Sequence, residues 1–315
     1  MLVLKNITIV TYFKLLGFHV TPYSIAPVFC LALLCYIITT TGNFLIIFLV
    51  LTNRRLQRPM YFFLCNLAFI DICLITTTVP NLLINILGKN KSISVFSCLI
   101  QLYIFFLSGT AEFLTLTVMS VDRYLAVCYP LHYHTLINRL VCIQIITGVW
   151  LGAFLILCIP FYLVMRLTFC VSEIDHFMCD VVPVLKNACI NTAHLENCVF
   201  AASSVVIISF LVSFISYINI MIAVVKIRSV GGKERIISTC SSHAVAVSLL
   251  YGSCIFMYSL PKQIQTASFN KKVSIMNAIL TPLMNPFFYT LRNKNVKEVV
   301  LGMLQKCHTM QSQKA

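Results

Sequence analysis

Long apolar intervals separated by sparse charges are the feature that most constrains this chain. About 20 consecutive apolar residues cross the hydrocarbon of a bilayer. Because hydrocarbon offers no partner to an unpaired backbone N–H, each such interval is predicted to form a helix. The predicted fold class is therefore all-α, a seven-transmembrane helix bundle. The seven intervals are Leu15 to Asn53, Pro59 to Gly88, Ser92 to Val121, Leu140 to Met165, Asn197 to Val225, Ile236 to Pro261, and Val273 to Leu291.

The composition excludes a soluble domain. Of 315 residues, 59% are hydrophobic and only 10% are charged, which is more apolar side chain than a soluble fold can bury. The net charge of +14 is not gathered into a basic run with interleaved aromatics, so nucleic-acid binding is not expected. No nucleophile and base, and no metal-ligand spacing, fall on one predicted face, so an enzyme is not expected either.

The distribution of lysine and arginine predicts which way the bundle faces. Of the 23 such residues, 14 fall on the side that includes the C-terminus, and positive charge accumulates on the cytoplasmic side of membrane proteins. We therefore expect a multi-pass plasma-membrane protein with its N-terminus outside. Asn6 begins a glycosylation sequon on the predicted outer tail. A second sequon begins at Asn90, close to a helix end, and its modification is left open.

Three regions follow from these spans. Residues 1–24 are predicted to be an extracellular tail, 25–291 the seven-helix domain, and 292–315 a cytoplasmic helix and tail. Pro22 and Pro27 suggest that the first helix starts near Ile25, and without a short apolar core and cleavage site before it, this helix is expected to direct its own insertion. Apolar residues recur at helical spacing after Leu291, which predicts a short helix in the membrane interface; they are Val296, Val299, Val300 and Met303.

Five motifs, in order along the chain, give it a family resemblance. They are Gly42-Asn43, Pro59 to Leu64, Met119 to Cys128, Ser238 to His243, and Asn285 to Tyr289. The chain resembles the odorant receptors, a branch of the rhodopsin-like G-protein-coupled receptors, over nearly its whole length. The resemblance implies a receptor for small volatile molecules that activates a stimulatory olfactory-type G protein and raises cyclic AMP. Val121, Ile236, Ile237 and Leu250 depart from the family pattern.

The resemblance also implies which residues couple to the G protein. Asp122, Arg123 and Tyr124 end the third predicted helix, where an arginine head can reach water and its neighbour supplies a counter-charge. Arg123 is expected to meet the G protein when the sixth helix moves outward, in a cleft lined by Tyr217 and Tyr289. Pro286 removes a helix hydrogen bond that the Asn285 side chain can replace, which predicts a hinge in the seventh helix.

One face of the third predicted helix is a candidate ligand surface. Phe105, Phe106, Gly109 and Thr110 share that face, about 20–25 Å from Arg123 along the helix axis. These four residues, which we call the tier around Gly109, lie in the predicted outer half of the bundle. Such an apolar surface with few hydroxyls suits a small volatile ligand, although ordinary helix packing accounts for each single residue equally well. The matching tier on the fifth and sixth helices is Ala202, Val206, Tyr251, Cys254, Ile255 and Tyr258.

Two carboxylates, Asp71 and Glu112, interrupt predicted spans, where an unpaired charge costs several kcal/mol. By resemblance they form the sodium pocket of rhodopsin-like receptors, with Asn43 and Asn285 nearby. The alternative is a carboxyl pair that shares a proton. No cofactor and no other metal site is expected.

Four of the 15 cysteines fall in predicted outer loops, and four cysteines allow three pairings. The resemblance selects Cys98 with Cys179 and Cys170 with Cys189.

Two other functions stay open on the sequence alone. One is a non-olfactory chemoreceptor of the same family. The other is an ion channel or transporter, because intramembrane acids also mark ion paths. The chain lacks the internal repeats and paired broken helices that many transporters have, so this alternative is remote.

Overall fold

The computed structural model describes residues 10–18, 21–88, 91–227, 229–259, 267–291 and 296–302, together with residue 305. The helices are α1 (Pro22–Thr52), α2 (Pro59–Leu87), α3 (Val95–Cys128), α4 (Pro130–Leu136), α5 (Arg139–Met165), α6 (Val181–Lys186), α7 (Ala193–Lys226), α8 (Val230–Ser259), α9 (Ala267–Ile275), α10 (Thr281–Leu291) and α11 (296–302). A 3₁₀ turn at Arg54–Leu56 follows α1, and a π-helical segment at Met276–Leu280 joins α9 to α10.

The predicted all-α bundle is confirmed. Five helices, α1, α2, α3, α5 and α7, are long and apolar enough to cross a membrane. We assign the sixth crossing to α8, in which His243–Cys254 is a shorter apolar stretch of the described residues. The seventh is formed by α9, the π-helical segment and α10 in series. The short helices α4 and α6 lie in the connections.

Two helices have ends that differ from the predicted apolar intervals. The first helix starts at Pro22 rather than near Ile25, with that proline in its first turn and Pro27 inside it; a proline in the first turn forfeits no helix hydrogen bond. The third helix extends past the apolar interval to Cys128, and it includes Asp122, Arg123 and Tyr124, which the sequence placed at its end.

A small sheet, which we did not predict, covers one end of the bundle. Strand β1 (Tyr12–Leu15) lies between β2 (Ser92–Ser94) and β3 (Glu173–Ile174), antiparallel to the first and parallel to the second. We call this end the disulfide end, because it also carries the bonds Cys98–Cys179 and Cys170–Cys189. The opposite end, where α3 finishes, is called the Arg123 end.

The helix α11 confirms the predicted helical segment after the seventh crossing. Val296 and Val299 are buried, and Val300 packs beside them, in the apolar cluster that includes Ile46 and Leu56. The valine stripe therefore faces the bundle at the Arg123 end. Met303 lies outside the described residues.

Candidate functional site: the disulfide end, the helix interior and the Arg123 end

Both predicted disulfides are present at the disulfide end. Cys98, at the start of α3, is bonded to Cys179 in the long loop between α5 and α7, and both are fully buried. The Gln101 side chain strengthens this junction: its Nε2 donates to the Thr77 carbonyl of α2 at 2.8 Å, and its Oε1 accepts from the Cys179 N–H at 3.2 Å. Sequence reasoning missed Gln101, because a single glutamine in an apolar helix gives no indication of its partner.

The N-terminal segment, residues 10–18, closes over this end. Phe13 is fully buried against Phe169, with ring centroids 5.0 Å apart, and Phe18 stacks on Phe177 at 5.4 Å. The segment is also attached to the seventh crossing. The Lys271 Nζ of α9 donates to the Gly17 carbonyl at 2.8 Å and to an Asp175 carboxylate oxygen at 2.5 Å. Glycosylation at Asn6 stays a prediction and that at Asn90 stays open, because both residues lie outside the described part of the structure.

His176 lies beneath this covering layer. Its side chain is buried, its Nδ1 lies 3.1 Å from the Met178 carbonyl, and its Nε2 is 3.9 Å from the Asp180 carboxylate. Burial lowers the pKa of His176, and the Asp180 carboxylate opposes this effect only in part. The ring is therefore neutral near neutral pH.

The four predicted ligand residues of α3 lie just below the disulfide end. Phe105 and Phe106 meet edge to face at 5.6 Å. Phe105 packs towards α2 and the π-helical segment, whereas Phe106 packs towards the cluster that contains Cys98 and Cys179. Thr110 is buried and Gly109 is half-buried. A Cβ built on Gly109 would meet no atom of the described structure within 4 Å, so there is open space at this tier.

The matching residues on α7 and α8 are only partly brought to that tier. Ala202 and Val206 are half-buried on α7. Tyr251 lies deeper: its ring contacts Phe113 and Phe210, and its hydroxyl is 3.3 Å from that of Thr117. Thr117 is seven residues beyond Thr110, or about 10 Å further along α3. The Tyr251 ring therefore lies deeper in the bundle than Phe105, and not beside it.

The rest of the predicted α8 set is described in part. Cys254 is buried, within electrostatic reach of Glu112. The side chains of Ile255 and Tyr258 lie outside the described part of the structure.

The two intramembrane acids lie close to one another and to Asn285. Asp71 is fully buried and accepts two hydrogen bonds from Asn285 Nδ2, at 3.0 and 3.1 Å. Glu112 is buried close enough for its charge to act on Asp71. Nearby on α1, Asn43 donates to the Thr39 carbonyl at 3.0 Å. Glu112 Oε1 and Asn43 Oδ1 have no hydrogen-bond partner among the described residues. Oxygen ligands that lack a donor suit a hard cation such as Na⁺.

The Gly42-Asn43 motif has a packing reason. A Cβ built on Gly42 would lie 3.1 Å from the Cβ of Pro286, which is closer than ordinary contacts allow. Glycine thus lets α1 approach α10 at its proline, next to the Asp71–Asn285 pair.

At the Arg123 end, the Asp122–Arg123 pair has a third member. Arg123 Nη2 lies 3.4 Å from Asp122 Oδ2, and the Tyr133 hydroxyl of α4 donates to Asp122 Oδ1 at 2.7 Å. Burial raises the pKa of Tyr133 well above its usual range, as does the adjacent Asp122 carboxylate. The phenol therefore stays protonated and remains a donor. Sequence reasoning did not select Tyr133.

Helices α3, α7 and α8 pack together at this end. The Tyr217 hydroxyl of α7 lies 2.6 Å from His243 Nδ1 of α8. Tyr217 also belongs to an apolar cluster that joins the three helices; the cluster consists of Ile220, Val224, Cys240, Tyr124, Val127, Tyr217 and Ile236. The bundle is thus closed beside Arg123. The Tyr289 side chain lies outside the described part of the structure.

A sequence model of the rhodopsin family of seven-transmembrane receptors matches residues 42–289. Human olfactory receptor 6X1 is 46% identical over 97% of this chain and 97% of its own length. Human olfactory receptors 6C75 and 6C1 are 40% and 41% identical, each over 96% of this chain and 98% of its own length. The chain belongs to the olfactory receptor family. It is therefore a multi-pass membrane receptor of the G-protein-coupled class and not an enzyme.

Two of the four departures of this olfactory receptor from the family pattern pack in apolar clusters. Ile236 packs on the apolar cluster at the Arg123 end, and Leu250 is buried in the core beside Tyr251. Val121 is half-buried on α3, and Ile237 is half exposed on the surface of α8. All four residues are apolar, so none of them places a polar group in the bundle.

Proposed function

We propose that the chain is an odorant receptor that binds small, volatile, mostly apolar molecules between α3, α7 and α8, and activates a stimulatory olfactory-type G protein to raise cyclic AMP. The observation that carries the proposal is the 46% identity to human olfactory receptor 6X1 over 97% of the chain. That region includes both the tier around Gly109 and the Arg123 end.

The geometry supports a ligand site beneath the covering layer. Gly109 faces open space on α3. Phe106 of α3 and Val206 of α7 are half-buried, and the Tyr251 ring lies deeper in the bundle, against Phe113 and Phe210. An apolar ligand there is held mainly by burial, with the Thr110 hydroxyl as a hydrogen-bonding group.

The geometry also supports a resting state at the Arg123 end. The G protein needs a cleft beside Arg123, and α8 closes that cleft through Cys240, Ile236 and the His243–Tyr217 contact. To activate the receptor, the ligand must bind the arrangement in which α8 has moved away more tightly than it binds the closed arrangement. Asn285 and Pro286 supply the bend in the seventh crossing.

We propose that the disulfide end lies outside the cell and the Arg123 end in the cytoplasm. Disulfides persist in oxidising compartments, and 14 of the 23 lysines and arginines fall in the segments that the sequence predicts to be cytoplasmic.

We further propose that Asp71, Glu112, Asn43 and Asn285 hold a sodium ion that stabilises the closed arrangement. The free oxygens of Glu112 and Asn43 support it. We expect NaCl to raise the thermal unfolding midpoint of the purified receptor above that in choline chloride, with the difference abolished by Asp71→Asn. Equal midpoints in the two salts would favour a carboxyl pair that shares a proton.

The main test records cyclic AMP in cells that express the tagged receptor, against a panel of volatile compounds. We expect a dose-dependent signal that Arg123→Ala abolishes at equal surface expression. Phe106→Ala should weaken the response, whereas Phe154→Ala, on the exposed face of α5, should leave it unchanged. A response that survives Arg123→Ala would refute coupling through this end.

A further inference from the structure

Two segments at the disulfide end are bonded to each other through their backbones. The Leu16 N–H donates to the Ile174 carbonyl at 2.9 Å, and the Gly17 N–H donates to the His176 carbonyl at 3.0 Å. Strands β1 and β3 pair in the same stretch. We call this unit, residues 10–18 together with residues 173–176, the flap. Because its two segments share these hydrogen bonds, a displacement of one carries the other with it.

The flap is attached differently at its two edges. Towards α3, strand β1 pairs with β2, which leads directly into α3, and the loop continues from His176 to Cys179, which is bonded to Cys98 of α3. Towards the seventh crossing, the attachment is a side chain: Lys271 Nζ of α9 donates to the Gly17 carbonyl at 2.8 Å and to Asp175 Oδ1 at 2.5 Å. The flap therefore has a covalently fixed edge at α3 and a releasable edge at α9.

The Lys271 contacts hold the flap closed and can still be broken reversibly. The Lys271 side chain is only 7% exposed, whereas that of Asp175 is 51% exposed. A buried ammonium group needs compensating partners, and the Gly17 carbonyl and the Asp175 carboxylate supply them. Water can take the place of Lys271 at the exposed carboxylate. Breaking this pair therefore leaves no buried charge on the flap, unlike the breaking of a fully buried pair.

An aromatic layer lies between this edge of the flap and the candidate ligand residues. Phe18, next to Gly17, stacks on Phe177 with ring centroids 5.4 Å apart. Both rings belong to the apolar cluster that also contains Phe105 of the tier around Gly109 and Ile279 of the seventh crossing. A route from the water at this end to the tier thus requires the flap and its aromatic rings to move away from the seventh crossing.

We propose that Lys271 is the latch of this flap. When Lys271 releases Gly17 and Asp175, the flap lifts from α9 about its fixed edge at α3, and small molecules in the water at the disulfide end reach the tier around Gly109. Lys271 is a positioning residue, which sets the fraction of receptors with an open route. The inference rests on the ligand site proposed above, but its test needs neither an odorant nor a G protein.

The test measures how fast a thiol introduced by Gly109→Cys reacts in the purified full-length receptor in lipid nanodiscs. A Cβ at Gly109 meets no atom of the described structure within 4 Å, so the position accepts the thiol. Two methanethiosulfonate reagents are used, one with a trimethylammonium group and one with a sulfonate, because a fixed charge keeps both out of the lipid. Mass spectrometry of the peptide that contains position 109 gives each rate.

In this background we expect Lys271→Gln to raise both rates about tenfold, which corresponds to a closed state less stable by about 1.4 kcal/mol. Asp175→Asn removes the other half of the ion pair at an exposed position, and it should also raise both rates; it serves where Lys271→Gln fails to fold. Lys271→Arg keeps the charge and the hydrogen-bond donors, so it should react as slowly as the Gly109→Cys receptor alone.

The matched control is Lys14→Gln. Lys14 Nζ lies 2.9 Å from Glu173 Oε1, and this ion pair joins the two segments within the flap without reaching α9. The variant should therefore leave both rates unchanged, although it removes the same charge from the same end.

Three results would overturn the latch. They are unchanged rates in both Lys271→Gln and Asp175→Asn, an equal rise in Lys14→Gln, and a rate that rises for one reagent while it falls for the other, which would indicate attraction by local charge instead of an opening. A receptor that responds to no odorant can still give the expected rates, so the latch and the proposed function fail separately.

Discussion

Buried polar side chains hold this bundle together at the level of single residues. Asn66 of α2 donates to the Thr115 hydroxyl of α3 at 2.8 Å and accepts from the Trp150 Nε1–H of α5 at 2.9 Å. One amide therefore joins three helices. Hydrogen bonds of this kind contribute on average about 0.6 kcal/mol each between membrane helices, and up to about 1.7 kcal/mol.

We predict that Asn66→Leu lowers the stability of the receptor by about 1–3 kcal/mol, because two interhelical bonds are lost and the Trp150 N–H is left without its acceptor. The thermal unfolding midpoint of the purified protein measures this. Thr41→Val is the control, since Thr41 is exposed and its hydroxyl donates to the Ile37 and Ile38 carbonyls of its own helix. Equal midpoints for the two variants would contradict the prediction.

His176 gives the disulfide end a pH dependence. Because burial lowers its pKa in the folded state below the usual value near 6.5, the unfolded chain binds a proton first as the pH falls. The contribution of neutral His176 to stability is thus present above about pH 6.5 and lost as the pH falls towards the lowered pKa. The charged groups that face it are Asp180, Asp175 and Lys271.

We therefore expect the unfolding midpoint of the wild type to fall between pH 7.5 and pH 5 more steeply than that of His176→Gln. His132→Gln, at an exposed position of α4, should follow the wild type. Parallel curves for wild type and His176→Gln would show that another group controls the pH dependence.

At the level of secondary structure, glycine and proline decide how closely the helices approach and where they bend. The contact of Gly42 with Pro286 joins α1 to α10, and the π-helical segment at Met276–Leu280 lies one turn before the Asn285–Pro286 pair. π-Helical turns are common at functional sites. The seventh crossing therefore has two irregular features within a few turns.

We predict that Gly42→Leu destabilises the receptor by about 1–3 kcal/mol, since the new side chain overpacks against Pro286. Gly148→Leu on α5 is the matched control: a Cβ built at that glycine meets no atom of the described structure within 4 Å, and both changes improve helix propensity equally. The comparison uses unfolding midpoints of the two purified variants. A loss at Gly148 as large as at Gly42 would refute the packing argument.

Charge spacing and hydropathy were sufficient to predict the crossings, because each crossing must satisfy its own backbone and expose apolar side chains to lipid. The disulfide pairings came from family resemblance. The sheet was not predictable, since the two partners of Tyr12–Leu15 lie far along the chain and its alternation is only four residues long. The structure places Tyr251 beside Phe113 and Thr117, deeper than Phe105. The sequence could not indicate this depth, because helical spacing fixes the face of a residue but not the height of one helix against another.

At the level of the whole molecule, the two ends are held differently. The disulfide end combines two covalent bonds with the sheet and the Lys271 contacts. The Arg123 end of the described structure is held by side-chain packing and by bonds such as Tyr217–His243. The end that must open for a G protein is therefore the one without cross-links among the described residues.

We predict that Cys98→Ala reduces surface expression more than Cys170→Ala. The first bond closes a sequence separation of 81 residues and the second one of 19, for which chain entropy gives about 4–5 and about 3 kcal/mol, respectively. Surface staining of tagged variants measures the effect, and Cys30→Ala, at an exposed position of α1, should express like wild type. Normal staining of Cys98→Ala would contradict the prediction.

The central position of β1 in its sheet also determines when this end can be completed during synthesis. Lys14 is made before its partner Glu173, which follows it by 159 residues. At about 5–20 residues per second, the strand spends roughly 8–30 s with at least one edge unpaired. An unpaired strand edge is a template for wrong pairing. The efficiency with which cells produce this receptor should therefore depend on whatever protects its N-terminal strand during that interval.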